Sequence, residues 1–341
     1  MYYLMIMCLL KKSLLVLFIL SIIITVALGF SNRIVCTRYT IDSDKITGSV
    51  KIVVVADFHG CRYGEHSEPI LQIISEENPD VVLLCGDIYD DELPFDKSND
   101  LVGQLSEAWP VYYVSGNHEY WSGQIDSIKA MVTRYGVRVL EGTGEEVHIG
   151  KDTIFIGGID DPTYLGMEAV KSQANSILFP SNHYSVLLSH RPELTELFSA
   201  IPVDLVISGH AHGGQVRIPY LLNSGLFAPD QGFFPKYTTG IHELNSRTSL
   251  LISRGLAKES TRVPRFFNNP EILSVTLTSG AGTEDGESFE LKCDQMWSNF
   301  GDRKIKDLVK CLKISKLQSL FVPRAEAHLY TDYQCITKFP S

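Results

Sequence analysis

Val53-Val54-Val55-Ala56-Asp57-Phe58-His59 sets an unbroken apolar run directly against a carboxylate and an imidazole. Such a run, rich in β-branched valine, reads as a buried strand. The polar residues that follow then lie at that strand's carboxyl end. The arrangement recurs downstream. Val81-Val82-Leu83-Leu84-Cys85 leads into Gly86-Asp87, with Asp90 three residues on, and Val111-Tyr112-Tyr113-Val114 leads into Gly116-Asn117-His118-Glu119. Val186-Leu187-Leu188 precedes Ser189-His190, and Leu205-Val206-Ile207 precedes Gly209-His210-Ala211-His212. Oxygen and imidazole ligands would therefore gather at the same ends of neighbouring strands, the layout of a two-metal hydrolytic site.

Working outward, Asp57, Asp87 and Asn117 are thirty residues apart, the length of one strand-helix-strand unit. Strands are expected near 51–56, 80–85, 111–114, 137–140, 146–149 and 153–156, then 184–189, 204–208, 214–218, 249–253 and 271–278. Helices are expected near 68–77, 98–108, 124–135 and 192–199. The pattern predicts a layered α/β domain with functional residues at the carboxyl ends of strands.

The 341 residues are 44% hydrophobic and 21% charged, which is globular composition. A formal net charge of -10 argues against nucleic acid as a partner, since such binders carry a basic footprint. Seven cysteines form no CxxC pair, so neither a zinc knuckle nor a disulfide framework is indicated.

Ser13 to Phe30 is a stretch of apolar and small residues behind Lys11-Lys12. Its eighteen residues reach the length needed to span a bilayer. Residues 1–33 are read as an uncleaved, single-pass membrane anchor, with a cleaved signal peptide as the alternative. Lys11 and Lys12 favour a cytoplasmic N-terminus and hence a catalytic domain outside the cytoplasm, although Arg33 and Arg38 weaken that bias. Residues 34–49 read as a polar connector and 50–278 as the functional domain. Residues 279–341 read as a Gly, Ser and acid-rich linker and a tail. Within the tail, basic residues surround Ile305, Leu308, Val309 and Leu312, an amphipathic pattern that suits an anionic membrane surface or an ordinary solvated helix.

Mixed imidazole and carboxylate ligation suits Mn, Fe or Zn better than Ca or Mg, and a carboxylate such as Asp87 can bridge two such ions. One histidine after one strand carries little meaning. The ordered set does: D-x-H, G-D-x-x-D, G-N-H-E, H and G-H-x-H, over residues 51–212, resembles the signature of the calcineurin-like metallophosphoesterase superfamily. Gly209 to Pro219, Ser253 to Leu256, Arg265-Phe266-Phe267 and Pro270-Glu271-Ile272 extend the resemblance over residues 50–278 to the YkuE/YaeI branch of membrane-associated phosphoesterases.

The resemblance implies a β-sandwich flanked by helices and a metal-dependent phosphohydrolase with two divalent ions. Asp57, His59, Asp87 and His212 would hold one ion. Asp87, Asn117, His190 and His210 would hold the other. His118 would serve the leaving group, with Asp90 orienting its imidazole. One departure stands out. Phosphoprotein-directed relatives resemble G-D-x-x-D-R-G, whereas Asp91-Glu92 follows Asp90 here, so the phosphate-gripping arginine is absent unless Arg191 or Arg254 replaces it. The expected activity is hydrolysis of phosphodiester or pyrophosphate bonds in a lipid- or nucleotide-linked substrate. The apolar loop 221–237 would receive an acyl chain or nucleobase, or else pack on the sheet edge. A phosphomonoesterase and a non-catalytic membrane tether are the alternatives.

Overall fold

Residues 2–258 and 263–280 are described by the computed structural model. The chain opens with α1 (Tyr2–Gly29), β1 (Val35–Ser43), β2 (Ser49–Val55), α2 (Glu68–Glu77) and β3 (Val81–Cys85). It continues through α3 (Asp96–Ala108), β4 (Val111–Val114), α4 (Asn117–Trp121), α5 (Ile125–Arg134), β5 (Arg138–Val139), β6 (Thr143–Ile149) and β7 (Asp152–Gly158). Next come α6 (Pro162–Leu165), α7 (Met167–Ser176), β8 (Tyr184–Leu188), α8 (Thr195–Ala200) and β9 (Leu205–Ser208). The C-terminal portion holds β10 (Phe227–Ala228), β11 (Gly232–Phe233), β12 (Gly240–Glu243), β13 (Ser249–Ile252) and β14 (Glu271–Ser279).

Two six-stranded mixed sheets result, ordered β1-β14-β2-β3-β4-β5 and β12-β13-β9-β8-β7-β6. Alternation along each strand explains why the runs are apolar throughout. Ile52, Val54 and Ala56 join Val81, Leu83 and Cys85 and residues of the second sheet in one cluster between the sheets. Val53, Val55, Val82 and Leu84 point the other way, into a cluster with Ile70, Ile74, Leu101, Val102, Ile128 and Val132 of α2, α3 and α5. On the second sheet's outer face, Leu187 and Val206 pack with Val170, Ala174 and Phe198 of α7 and α8. Strands covered on both faces have no polar side to display. The architecture is α/β: two sheets face to face, flanked by helices, as the resemblance implied.

The strands β2, β3 and β4 pair in parallel, with Val55 beside Leu84 and Leu84 beside Tyr113. The strands β8 and β9 also pair in parallel, with Leu188 beside Ile207. Shared direction and register bring the five polar segments to one edge of the sandwich. Helix α1 contains a stretch, Leu10–Gly29, long and apolar enough to cross a membrane and only 6% buried against the protein; a signal sequence has the same character.

Two expectations are corrected. Val35–Ser43, inside the expected connector, is a strand paired in parallel with β14 from Val35–Glu271 to Ser43–Ser279. It sits at a sheet edge and is only partly buried, so solvent tolerates Arg38 and Asp42 in it. Residues 214–218 are not a regular strand. A 3₁₀ turn occupies His212–Gly214, and Val216 and Ile218 make only isolated bridges, to Phe266 and Leu222. Helix α7 and the edge strand β12 lie outside the expected elements. Nearly all of the expected linker and tail, including the basic stretch 303–316, lies outside the described residues.

Candidate metal centre

Each carboxylate at the sheet edge is pinned by one oxygen and open at the other. Asp57 Oδ1 accepts the His210 backbone N–H at 2.8 Å, and Asp87 Oδ1 accepts that of His118 at 2.9 Å. Asp57 Oδ2, Asn117 Oδ1 and His59 Nε2 are buried polar atoms without a hydrogen-bond partner, Asp87 Oδ2 and His190 Nε2 have each other at 3.0 Å, and His212 turns Nε2 toward Asp57 at 3.8 Å. An unsatisfied buried polar group costs about 1–3 kcal/mol, so this cluster of oxygens and ring nitrogens at one sheet edge calls for a ligand that takes lone pairs. Divalent cations do that.

The geometry sorts these atoms into overlapping groups. Asp57, His59 and His212 offer ligand atoms within 4.8 Å of one another, and so do Asp87, His190 and His210. Asp87 also forms such a group with His59 and His118. Its Oδ2 lies 3.0 Å from His190 Nε2 and 3.8 Å from His59 Nε2, placing it between the two sets. All seven residues expected as ligands are buried at this one site.

The imidazoles are oriented from behind. His59 Nδ1 is 2.8 Å from Asp90 Oδ2, and His190 Nδ1 is 2.9 Å from the Cys85 carbonyl oxygen. A carboxylate or carbonyl only accepts, so Nδ1 carries a proton in both rings, and Nε2 is the nitrogen that a cation would take in place of a proton. His210 is held at Nε2, 2.9 Å from Asp230. The backbone is forced as well. Asp57, His59, Asp87, His210 and His212 all have φ between 46° and 64°, a region that costs a non-glycine residue about 1 kcal/mol or more. Gly86 has φ 78°, and a Cβ there would run into the His190 ring.

Charge follows the same logic. Burial raises the Asp57 carboxyl above its usual range. Burial acts on Asp87 too, yet His190 holds it well below the usual carboxylate range. Burial disfavours the charged form of His190, but Asp87 and Asp57 push it up to about 10. The carboxylates thus demand positive charge at this spot, which a bound cation supplies.

His118 and Asp90 are both present, but not paired as expected. His118 Nδ1 lies 2.5 Å from Asp91 Oδ1 and 3.5 Å from Asp90 Oδ2. Asp90 instead backs His59 and caps the turn through the N–H groups of Glu92 and Leu93. Glu119 has a structural task beyond its place in the G-N-H-E segment. Its carboxylate accepts the backbone N–H groups of Asp87, Ile88, Tyr89 and Gly116 at 2.8–3.0 Å and so shapes the turn that carries Asp87. Burial and the neighbouring Asp87 push its carboxyl up to about 7. A second such residue is Asp230, which links His210 to Arg191. Arg191 is itself committed to Asp161 at 2.7 and 3.2 Å and to Thr163 Oγ1 at 2.6 Å, with Glu193 more distant at 3.7 Å.

The sequence profile of the calcineurin-like phosphoesterases matches residues 50–214. The metallophosphoesterase YkuE of Bacillus subtilis (strain 168) is 30% identical over 263 residues, 73% of this chain and 87% of its own length. A transmembrane protein with a metallophosphoesterase domain from Bos taurus is 28% identical over 61% of this chain, which spans about half (49%) of that protein. The solved NAD nucleotidase of Haemophilus influenzae is similar at a TM-score of 0.44 and 14% identity, over 62% of this chain and 46% of that one, a likeness too distant to bear on activity. With the profile and the Bacillus relative agreeing over the segments that build the site, the chain belongs to the calcineurin-like metallophosphoesterases.

Proposed function

We propose that this protein is a membrane-anchored, dinuclear-metal phosphohydrolase that cleaves phosphodiester or pyrophosphate bonds in a lipid- or nucleotide-linked substrate. The observation that carries the metal chemistry is the overlapping set of buried Asp and His ligand atoms at one sheet edge, Asp57 Oδ2, Asn117 Oδ1 and His59 Nε2 among them without any partner. In this reading Asp57, His59, Asp87 and His212 hold one ion, and Asp87, Asn117, His190 and His210 hold the other. His59 and His190 bind through Nε2, and His210 binds through Nδ1 because Asp230 holds its far nitrogen. Bound Mn, Zn or Fe would polarise the phosphoryl oxygens and lower the pKa of a coordinated water.

The chain's own residues supply the rest. His118 stands at the rim, partly exposed, with Nε2 available to a leaving-group oxygen while Asp91 fixes its ring; a protonated imidazole there donates the proton that a departing alkoxide needs. A scaffold has no need of a proton donor beside its metals, which disfavours the tether reading.

Support for a diester or pyrophosphate over a monoester comes from the arginines. Arg191 is engaged by Asp161, Thr163 and Asp230, and Arg254 by Glu271 at 2.7 Å. Both guanidiniums are thus held by acidic side chains rather than turned to a terminal phosphate, and Asp91 and Glu92 give that rim negative charge.

The test is a panel of diesters, monoesters, phosphopeptides and nucleotide-sugar lipids, assayed on the full chain with Mn, Zn or Mg. Metal-dependent turnover led by diesters or pyrophosphates is expected. Monoesterase dominance, or activity that survives complete metal removal, would overturn the reading.

A further inference from the structure

The largest exposed apolar side chains outside α1 include a group within a single loop. Tyr220 is 74% exposed, Leu221 83%, Phe233 70% and Phe234 73%, with Ile218 and Phe227 also open. They belong to a tight turn, where the Leu222 N–H donates to the Ile218 carbonyl oxygen at 2.7 Å, and to the β10–β11 hairpin, where the Phe227 and Phe233 rings meet edge to face at 5.4 Å. Solvent gains nothing from such a group; contiguous exposed apolar surface marks a contact.

What covers it follows from how the loop is attached. Phe266–Asn269 runs between the loop and the end of α1. On one side, the Phe267 N–H donates to the Gly29 carbonyl oxygen at 2.6 Å, the Phe30 and Phe266 rings meet at 5.0 Å, and Asn269 donates to the Arg33 carbonyl oxygen at 2.9 Å. On the other side, the Arg217 N–H donates to the Phe266 carbonyl oxygen at 2.8 Å, and the Leu226 N–H donates to the Val216 carbonyl oxygen at 2.8 Å. Asn268 reaches the carbonyl oxygen of His212 at 2.7 Å. The foot of the apolar helix, the exposed loop and a residue of the metal centre are therefore stitched to the same few residues. From within the loop, Asp230 holds His210 and Arg191.

We propose that residues 218–234 are a lipid-contacting surface that seats in the interfacial layer of the bilayer entered by α1. This rests on the membrane reading of α1 and deepens it. Aromatic and aliphatic side chains on a short hairpin suit the headgroup boundary, where ring faces meet acyl chains and backbone polar groups stay hydrated. The loop's inner residue Asp230 touches the metal centre while its outer residues meet lipid, so a phosphoester carried by a lipid would reach the site without leaving the membrane.

The experiment places tryptophan in the loop of the full chain, as Leu221→Trp and separately Phe233→Trp, in vesicles of phosphatidylcholine and phosphatidylglycerol. Emission is compared with the parent protein's own tryptophans. The added emission should fall about twofold or more with lipids brominated near the headgroup and change little with aqueous iodide. Alkaline-carbonate flotation of the same vesicles reports α1 separately. Flotation with iodide-quenched, bromine-insensitive tryptophans would keep the anchor and overturn the loop proposal. Protection from both quenchers would mean that a second copy or another protein covers the loop, which also overturns it. Failure to float would remove the membrane reading and this proposal together.

Discussion

His118 Nδ1 meets Asp91 Oδ1 at 2.5 Å, while Asp90, one residue earlier in the chain, is turned to His59. Two adjacent carboxylates thus face two different imidazoles, one at the rim and one among the proposed ligands. A carboxylate behind an imidazole fixes its tautomer and the orientation of its ring. The two positions should therefore separate by phenotype. His118→Ala should leave metal content intact and lower turnover by about 10²-fold or more, most for alkyl leaving groups and least for nitrophenolate. Asp91→Asn should follow the same leaving-group pattern with a smaller loss, about tenfold. Asp90→Asn should instead weaken metal retention through His59, by about 10–100-fold in affinity. Metal content and paired kinetics on alkyl and nitrophenyl esters check this. A leaving-group effect from Asp90→Asn without metal loss would return the dyad role to Asp90.

Metal removal tests the shared carboxylate. Asp87 lies within reach of both ligand groups, whereas Asp57 belongs to one of them. Asp87→Asn should lower the content of both ions, and Asp57→Asn chiefly that of one. Chelation should abolish hydrolysis, and added Mn or Zn should restore it. Elemental analysis of each variant beside the parent reads this directly; near-normal metal content in Asp87→Asn would refute the bridging assignment.

How far these relationships were legible in the sequence depends on distance along the chain. The runs 53–56, 81–85, 111–114, 186–188 and 205–207 announced their strands because burial on both faces forbids polar positions. The ligand-type residues followed because parallel pairing puts strand ends together. The strand Val35–Ser43 escaped because its apolar signal is spread over alternate positions, Val35, Thr37, Tyr39 and Ile41, between residues that solvent tolerates. Asp91 was in plain view in Asp90-Asp91-Glu92, but no spacing rule separates neighbours on a tight turn. Asp230 and Asn268 carried no signal at all. Their partners His210 and His212 lie 20 and 56 residues away, and only tertiary structure joins them.

Acid stability should report the buried pair at the start of β14. Burial disfavours the Glu271 carboxylate, yet Arg254 and Thr37 bring its pKa below the ordinary carboxyl value. A depressed carboxyl stabilises the fold above its unfolded pKa, about 4.3, and that contribution is lost as pH falls through the lower folded value. Glu271→Gln leaves the buried Arg254 guanidinium unpaired and should cost about 3–5 kcal/mol near pH 7. Below about pH 4 the gap between variant and parent should narrow, because the parent's own carboxylate is then being protonated. Urea unfolding at pH 7, 5 and 3.5 measures it. A gap that widens in acid would mean that Glu271 is not the depressed group.

Substrate preference should follow the engaged arginines. A terminal phosphate carries close to two negative charges near neutral pH, and a bidentate guanidinium is the side chain that best meets it. Here Arg191 is spent on Asp161, Thr163 and Asp230, Arg254 is spent on Glu271, and Asp91 and Glu92 occupy the rim beside His118. A diester brings one charge to that rim and has a second arm to place along the apolar loop 221–237. Bis-nitrophenyl phosphate and pyrophosphate-linked lipids should therefore turn over faster than phosphoserine peptides under matched metal. Acylated substrates should show the lower KM, and Phe233→Ala with Phe234→Ala should raise that KM while leaving the short diester's kcat nearly unchanged. The arginine argument has its own control. Asp161→Asn frees part of the Arg191 guanidinium, so monoester turnover should rise relative to diester turnover. If phosphopeptides already lead in the parent protein, or Asp161→Asn leaves the ratio where it was, the charge at this rim does not choose the substrate.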